Sequence, residues 1–224
     1  MKTVLITGTD TRVGKTWVGR ALGRALRTAG RRVVAVKPVE TGTADATSLL
    51  EDGALLAAAT GQAEPLGALY RLAEPLAPAL AADVAREVLD LDAMLLRLEK
   101  LSDGAEVVLI EGAGGLLEPM TWEWTVVDLA RAQGAAALVV GVDRLGAINH
   151  SLLTLSALEL AGVEVAGMVL TAPELPDPTT GTNATAIARL SGIDRIVSLP
   201  RLADPLAASG EVEPILGWIL GPGG

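Results

Sequence analysis

At 224 residues, half of them hydrophobic, the chain is long enough for one substantial core and too short for two independent ones, so it reads as a single domain over 1–224. Acidic residues outnumber basic ones by 27 to 18, for a formal charge of −9; this argues against nucleic-acid and anionic-membrane partners and for small molecules. Cysteine is absent, which excludes disulfides and thiolate metal sites and fits a cytoplasmic protein.

The opening apolar run, 3–7, reads as a buried parallel strand, too short for a signal peptide. It leads into Gly8-Thr-Asp-Thr-Arg-Val-Gly-Lys-Thr16, a phosphate-binding loop with five residues between its glycines instead of the usual four. Glycine lets the backbone approach phosphate oxygens, and the amides of Arg12, Val13 and Gly14 would point at them, with the positive end of the next helix behind. Lys15 would reach the β- and γ-phosphates and the Thr16 hydroxyl would ligate Mg²⁺. The helix itself is predicted over 15–29, with Val18, Leu22, Ala25, Leu26 and Ala29 on one face and Gly30 as its stop.

A second strand, 33–36, ends at Lys37-Pro-Val-Glu-Thr-Gly42. Four lysines stand against fourteen arginines in this chain, so Lys15 and Lys37 are the residues where a compact ammonium has been kept against the bias. A helix is predicted over 49–59, in which Asp52 is a candidate oxygen ligand, with Glu51 and Asp45 competing for that role. Residues 60–82, punctuated by Pro65, Pro75 and Pro78, read as an irregular excursion over the sheet, followed by one helix over 83–101.

The strand at 107–110 delivers Glu111-Gly-Ala-Gly-Gly115, a carboxylate where it would meet magnesium, and Gly112, Ala113 and Gly114 where they leave room for phosphates. After a helix at 126–133 and a strand at 137–142, the turn before a helix at 149–161 offers a second anion site on the amides of Gly146, Ala147, Ile148 and Asn149. His150, the lone histidine, has no Asp or Ser partner in sequence and reads as a packing or surface residue. A strand at 165–170, a helix at 182–191, a strand at 195–199 and a helix at 213–220 complete the chain. The alternation predicts an α/β fold: a doubly wound, mainly parallel sheet with helices on both faces, in P-loop NTPase architecture.

The ordered set Gly-Thr-Asp-Thr-x-Val-Gly-Lys-Thr from Gly8, Lys37-Pro-Val-x-Thr-Gly, Glu111-Gly-Ala-Gly-Gly and Gly146-x-Ile-Asn-His150 resembles dethiobiotin synthetase, in order over residues 2–162. Glu74-Pro-Leu-Ala-Pro-x-Leu-Ala-Ala82 is also similar to a loop of that family. The resemblance implies a homodimeric enzyme that uses ATP, Mg²⁺ and CO₂ to close a ureido ring on 7,8-diaminopelargonate. It implies Lys37, Lys15 and Thr11 as the catalytic groups and Thr16, Asp52 and Glu111 as the Mg²⁺ ligands. Thr41 and Lys37 would hold substrate amines or carbamate, and Gly146, Ala147, Ile148 and Asn149 of the other subunit the substrate carboxylate. Thr171 stands where the family often has a base-reading Asn, and Pro200, Arg201 and Leu202 match its second base-side segment. A positioning ATPase switch of the same superfamily is the alternative; Asp10 replaces the extra lysine such switches carry in the loop.

Overall fold

The computed structural model describes residues 1–43, 50–200, 202, 204–208 and 210–221. Six strands form one parallel sheet in the order β2-β5-β1-β6-β7-β8, comprising β1 (Lys2–Gly8), β2 (Val33–Val36), β5 (Val107–Glu111), β6 (Ala136–Val142), β7 (Val165–Thr171) and β8 (Ile196–Leu199). The central strands are rich in Val, Ile, Leu and Ala because they are covered on both faces, whereas the edge strand β8 leaves Ser198 exposed. Along β1 the side chains of Val4 and Ile6 enter one core and that of Leu5 enters the other.

On the Val4 and Ile6 face lie α1 (Lys15–Thr28), α2 (Asp52–Thr60) and α8 (Glu213–Leu220), through Val18, Leu22, Leu26, Leu56, Ile215 and Ile219. On the Leu5 face lie α3 (Pro78–Ala85), α4 (Leu91–Leu101), α5 (Val126–Ala132), α6 (Ala147–Leu160) and α7 (Asn183–Ser191). From β1 the chain crosses to one side of the sheet and from β6 to the other. The loop after β1 therefore opens at a switch point, where ligands collect beyond the carboxyl ends of parallel strands.

Three expectations are corrected. The helix expected over 83–101 is two, α3 and α4: Arg86 adopts a left-handed conformation, φ 55°, that closes α3, and Asp90 restarts the helix by accepting from the Ala93 amide at 2.9 Å. The excursion at 60–82 contains β4 (Tyr70–Leu72), paired in parallel with β3 (Val39–Thr41) as a small second sheet beside the main one. Strands of three residues carry too little periodicity to be read in advance. The helix expected to start at 149 starts at Ala147, because Gly146 at φ 94° supplies the left-handed turn into it.

Candidate active site

The loop from Gly8 to Thr16 closes on itself for steric reasons. A Cβ on Gly8 would lie 2.6 Å from the Asp10 carbonyl oxygen, and Gly14 turns into α1 at φ 94°. Arg12 also sits in the left-handed region, at φ 58°, strain of about 1 kcal/mol or more that the surrounding loop holds in place. The Thr171 hydroxyl, at the end of β7, donates to the Val13 carbonyl at 2.9 Å, with the Gly141 carbonyl 3.2 Å away, and so ties the loop to the sheet.

Around this loop the fold assembles a cavity of about 560 Å³ at the carboxyl ends of β1, β2 and β5. Its walls include Thr11, Arg12, Gly14, Lys15, Thr16, Lys37, Thr41, Asp52, Glu111, Ala113 and Gly114. Lys37 Nζ lies 2.5 Å from Glu111 Oε1 and 3.0 Å from Asp52 Oδ2, and Thr16 Oγ1 donates to the same Glu111 oxygen at 2.9 Å. Lys37 is 5% exposed and Glu111 1%. Gly112 is behind the cavity: its amide donates to the Ile6 carbonyl, and its own carbonyl lies 3.4 Å from Lys37 Nζ.

Charge balance sets the protonation of this cluster. Burial alone would disfavour the Lys37 ammonium, but Glu111 and Asp52 outweigh it and hold the group above the usual lysine range. Burial pushes the Glu111 carboxyl up, against the pull of Lys37. Asp52 is held below the usual range because Lys37 and the Thr16 hydroxyl outweigh its burial. Lys15 is lowered by burial and by the nearby charge of Lys37. Two ammonium groups thus face one cavity, Lys37 with its charge held by two carboxylates and Lys15 with its charge disfavoured, so that added negative charge would favour the Lys15 ammonium.

Of the three competing acids, the geometry separates two. Asp52 faces the cavity, whereas Glu51 is turned away into a bidentate pair with Arg71 on β4; Asp45 lies outside the described residues. Glu40 had no sequence signal. Its buried carboxylate accepts from the amides of Asp52 at 2.5 Å and Gly53 at 3.0 Å, capping α2 from another strand because the N-cap residue Glu51 makes no side-chain cap. This long-range cap sets where Asp52 sits.

A second cavity, about 830 Å³, lies on the other side of the loop. Val13, Thr171, Pro200 and Leu202 line it; Arg201 lies outside the described residues. Trp17 lines both cavities and was not singled out from sequence, although an aromatic directly after Lys15-Thr16 in a chain with so few was the available signal.

Gly146, Ala147, Ile148 and Asn149 line neither cavity. The expected set of free amides there is also smaller, since Ala147 donates to the Arg144 carbonyl at 2.9 Å. His150 is exposed, on the first turn of α6.

Fold and loop together define a P-loop NTPase-like protein. A family model described as an AAA domain matches residues 2–208. The nucleotide-binding protein in complex with ADP from Archaeoglobus fulgidus superposes with a TM-score of 0.54 over 99% of this chain and 89% of that one, at 13% identity, a likeness of fold. The ATP-dependent dethiobiotin synthetase BioD of Anaeromyxobacter dehalogenans (strain 2CP-C) is 43% identical over 204 residues, 89% of this chain and 90% of the relative. The enzymes of the same name from Mycobacterium avium (strain 104) and Aquifex aeolicus (strain VF5) are 42% and 37% identical over 93% and 90% of this chain, and 91% and 90% of theirs. The chain belongs to the ATP-dependent dethiobiotin synthetase family.

Proposed function

We propose that this chain is an ATP- and Mg²⁺-dependent cyclo-ligase that converts 7,8-diaminopelargonate and CO₂ to dethiobiotin, ADP and phosphate in the cytoplasm. The observation that carries the reading is the convergence of Lys15, Lys37, Thr16, Asp52 and Glu111 on one cavity beside the phosphate loop. A substrate amine captures CO₂ as a carbamate, a carbamate oxygen attacks the γ-phosphorus with loss of ADP, and the second amine displaces phosphate from the mixed anhydride to close the ring. Each step builds negative charge on oxygen. Lys37 and Lys15 stabilise it, and the Thr11 and Thr41 hydroxyls orient the carbamate and amines. No side chain acts as nucleophile.

The donor set suits magnesium. Among the described residues no group of three or more acidic or histidine ligands forms a cation cage, but magnesium is ordinarily held by one or two carboxylates with the rest of its shell from phosphates and water. Thr16, Asp52 and Glu111 supply such a set, and Glu111 Oε2 is buried without a hydrogen-bond partner among the described residues. An ion held there would supply positive charge to the negative oxygen that the reaction develops.

Separation of the helix α6 amides from the phosphate cavity supports a homodimer in which the Gly146, Ala147, Ile148 and Asn149 turn of one subunit completes the site of the other. Leu145, Leu153 and Leu160, exposed on and beside α6, supply apolar surface for such a contact. The net charge and the absence, among the described residues, of a helix long and apolar enough to cross a membrane leave small molecules as the favoured partners over nucleic acid or lipid.

The reading predicts phosphate release that requires 7,8-diaminopelargonate, bicarbonate, Mg²⁺ and ATP together. Release indifferent to the diamine would sink it and favour an ATPase switch. It also predicts that Glu40→Gln, which deprives α2 of one of its two capping acceptors, raises the Mg²⁺ concentration for half-maximal release roughly tenfold while the rate recovers at saturating Mg²⁺. An unchanged Mg²⁺ dependence would show that Glu40 does not position Asp52.

A further inference from the structure

The carboxylates of Glu40, Asp52, Glu111 and Glu118 all line the phosphate cavity, and three of them have a task already. Glu111 and Asp52 neutralise Lys37 and supply the proposed Mg²⁺ set, and Glu40 caps α2. The half-buried carboxylate of Glu118 makes no hydrogen bond or ion pair among the described residues. Arg12, the remaining cation on the cavity wall, is exposed and does not pair with it.

Glu118 is nevertheless firmly mounted. Its amide donates to the Gly115 carbonyl and its carbonyl accepts from the Val126 amide, both at 3.2 Å, while Pro119 bridges to Thr125 and accepts from the Ala79 amide at 3.1 Å. The side chain folds back over the turn at Gly114, φ 57°. A Cβ on Gly114 would lie 2.6 Å from Glu118 Cδ and 2.8 Å from its Cγ, so the carboxylate occupies space that only glycine leaves open. From there its charge favours the Lys15 ammonium without pairing with it.

A triphosphate gains nothing from an added acid beside its loop, since like charges repel. The substrate amines do gain. An alkyl amine is protonated at neutral pH, as a lysine is. Once one amine has captured CO₂ it is an anionic carbamate and matches Lys15 and Lys37; the other, still an ammonium, matches the carboxylate left without a partner.

We propose that Glu118 is the amine site of the ring-closing step, binding the second amino group of the substrate as its ammonium and taking its proton before the nitrogen attacks. The freed lone pair forms the N–C bond at the carbonyl carbon of the mixed anhydride. The C–O bond to phosphate breaks with its electron pair on the phosphate oxygen, and the proton that the nitrogen then sheds leaves on phosphate. Glu118 returns its own proton to solvent. The inference rests on the synthetase reading and adds to it the residue that handles the second amine.

The test is steady-state kinetics of the full chain with ADP and dethiobiotin followed separately. Glu118→Gln is expected to raise KM for the diamine by roughly tenfold or more and to lower the rate of dethiobiotin formation by about a hundredfold, with KM for MgATP and the Mg²⁺ requirement unchanged. Carbamate formation and phosphoryl transfer do not use Glu118, so ADP continues to form while the stranded anhydride is hydrolysed. Dethiobiotin and ADP, equal in wild type, therefore part company, with dethiobiotin falling to a small fraction. Glu118→Asp keeps the charge but draws it back by one methylene, and is expected to recover part of the coupling.

An unchanged diamine KM with full coupling in Glu118→Gln overturns the inference. So does a raised Mg²⁺ requirement, which would make Glu118 a metal ligand, or an equal loss towards diamine and MgATP, the mark of a structural role. Each of these leaves the synthetase reading intact. Wild-type ADP formation indifferent to the diamine would instead overturn that reading and the inference with it.

Discussion

Lys37→Ala is expected to lower diamine-dependent phosphate release by at least about a hundredfold to a thousandfold, the loss typical of removing a preorganised charge from a developing oxyanion. It is also expected to destabilise the unliganded protein. Lys37 is the cation between Glu111 and Asp52, at 2.5 Å and 3.0 Å, and Glu111 is almost fully buried. Removing one partner of such a pair costs about 3–5 kcal/mol because a buried charge is left uncompensated.

The sign of the pH dependence follows from Glu111. Burial already pushes its carboxyl up, and without Lys37 it rises further, so the folded variant takes up a proton that the unfolded chain at the same pH does not hold. The stability deficit relative to wild type should be largest at neutral pH and shrink as pH falls towards the ordinary carboxylate range. Urea unfolding at neutral and mildly acidic pH measures it; a deficit that does not change with pH would show that Glu111 is not the group left behind. Mg-nucleotide binding to the variant, measured where it is folded, should be largely retained, because the loop, Lys15 and Thr16 remain.

Glu111→Gln should behave differently. Lys37 keeps Asp52 as its counterion, so the unliganded variant loses less stability than Lys37→Ala. The amide, however, removes a charged oxygen that receives the Thr16 hydroxyl and the Lys37 ammonium, and replaces the buried Oε2, which has no hydrogen-bond partner among the described residues. The Mg²⁺ requirement should rise by roughly tenfold to hundredfold. MgATP should raise the melting temperature of wild type clearly and of the variant far less, while ATP with excess chelator should affect both alike. Equal magnesium-dependent stabilisation of the two proteins would remove Glu111 from the ligand set.

Much of this site was legible in the amino-acid sequence because its parts are local. A phosphate loop is a short run of glycines between an apolar strand and an amphipathic helix, and every piece of that context lies within residues 2–28. Lys37 and Glu111 were placed on the same rim for a related reason: each directly follows a buried strand, and parallel strands present their carboxyl ends on one side of a sheet. The buried runs were equally plain, since a strand covered on both faces has to be apolar throughout.

What had to wait for the folded chain depends on contacts between distant residues. Asp52, Glu51 and Asp45 are chemically interchangeable when read in line; Arg71 on β4 turns Glu51 away and Glu40 on β3 sets the start of the helix that carries Asp52. The three-residue strands β3 and β4 are stable because of each other and the packing beneath them, not through propensity of their own. The break between α3 and α4 lies in a left-handed arginine that no residue preference announces. Trp17 is the sharpest instance: its position beside the loop is written in the chain, but the carbonyl of Leu202 that orients its ring is 185 residues away. Local order and hydrophobic pattern are properties of neighbours along the chain, whereas the aim of a side chain is a property of whatever the fold brings against it.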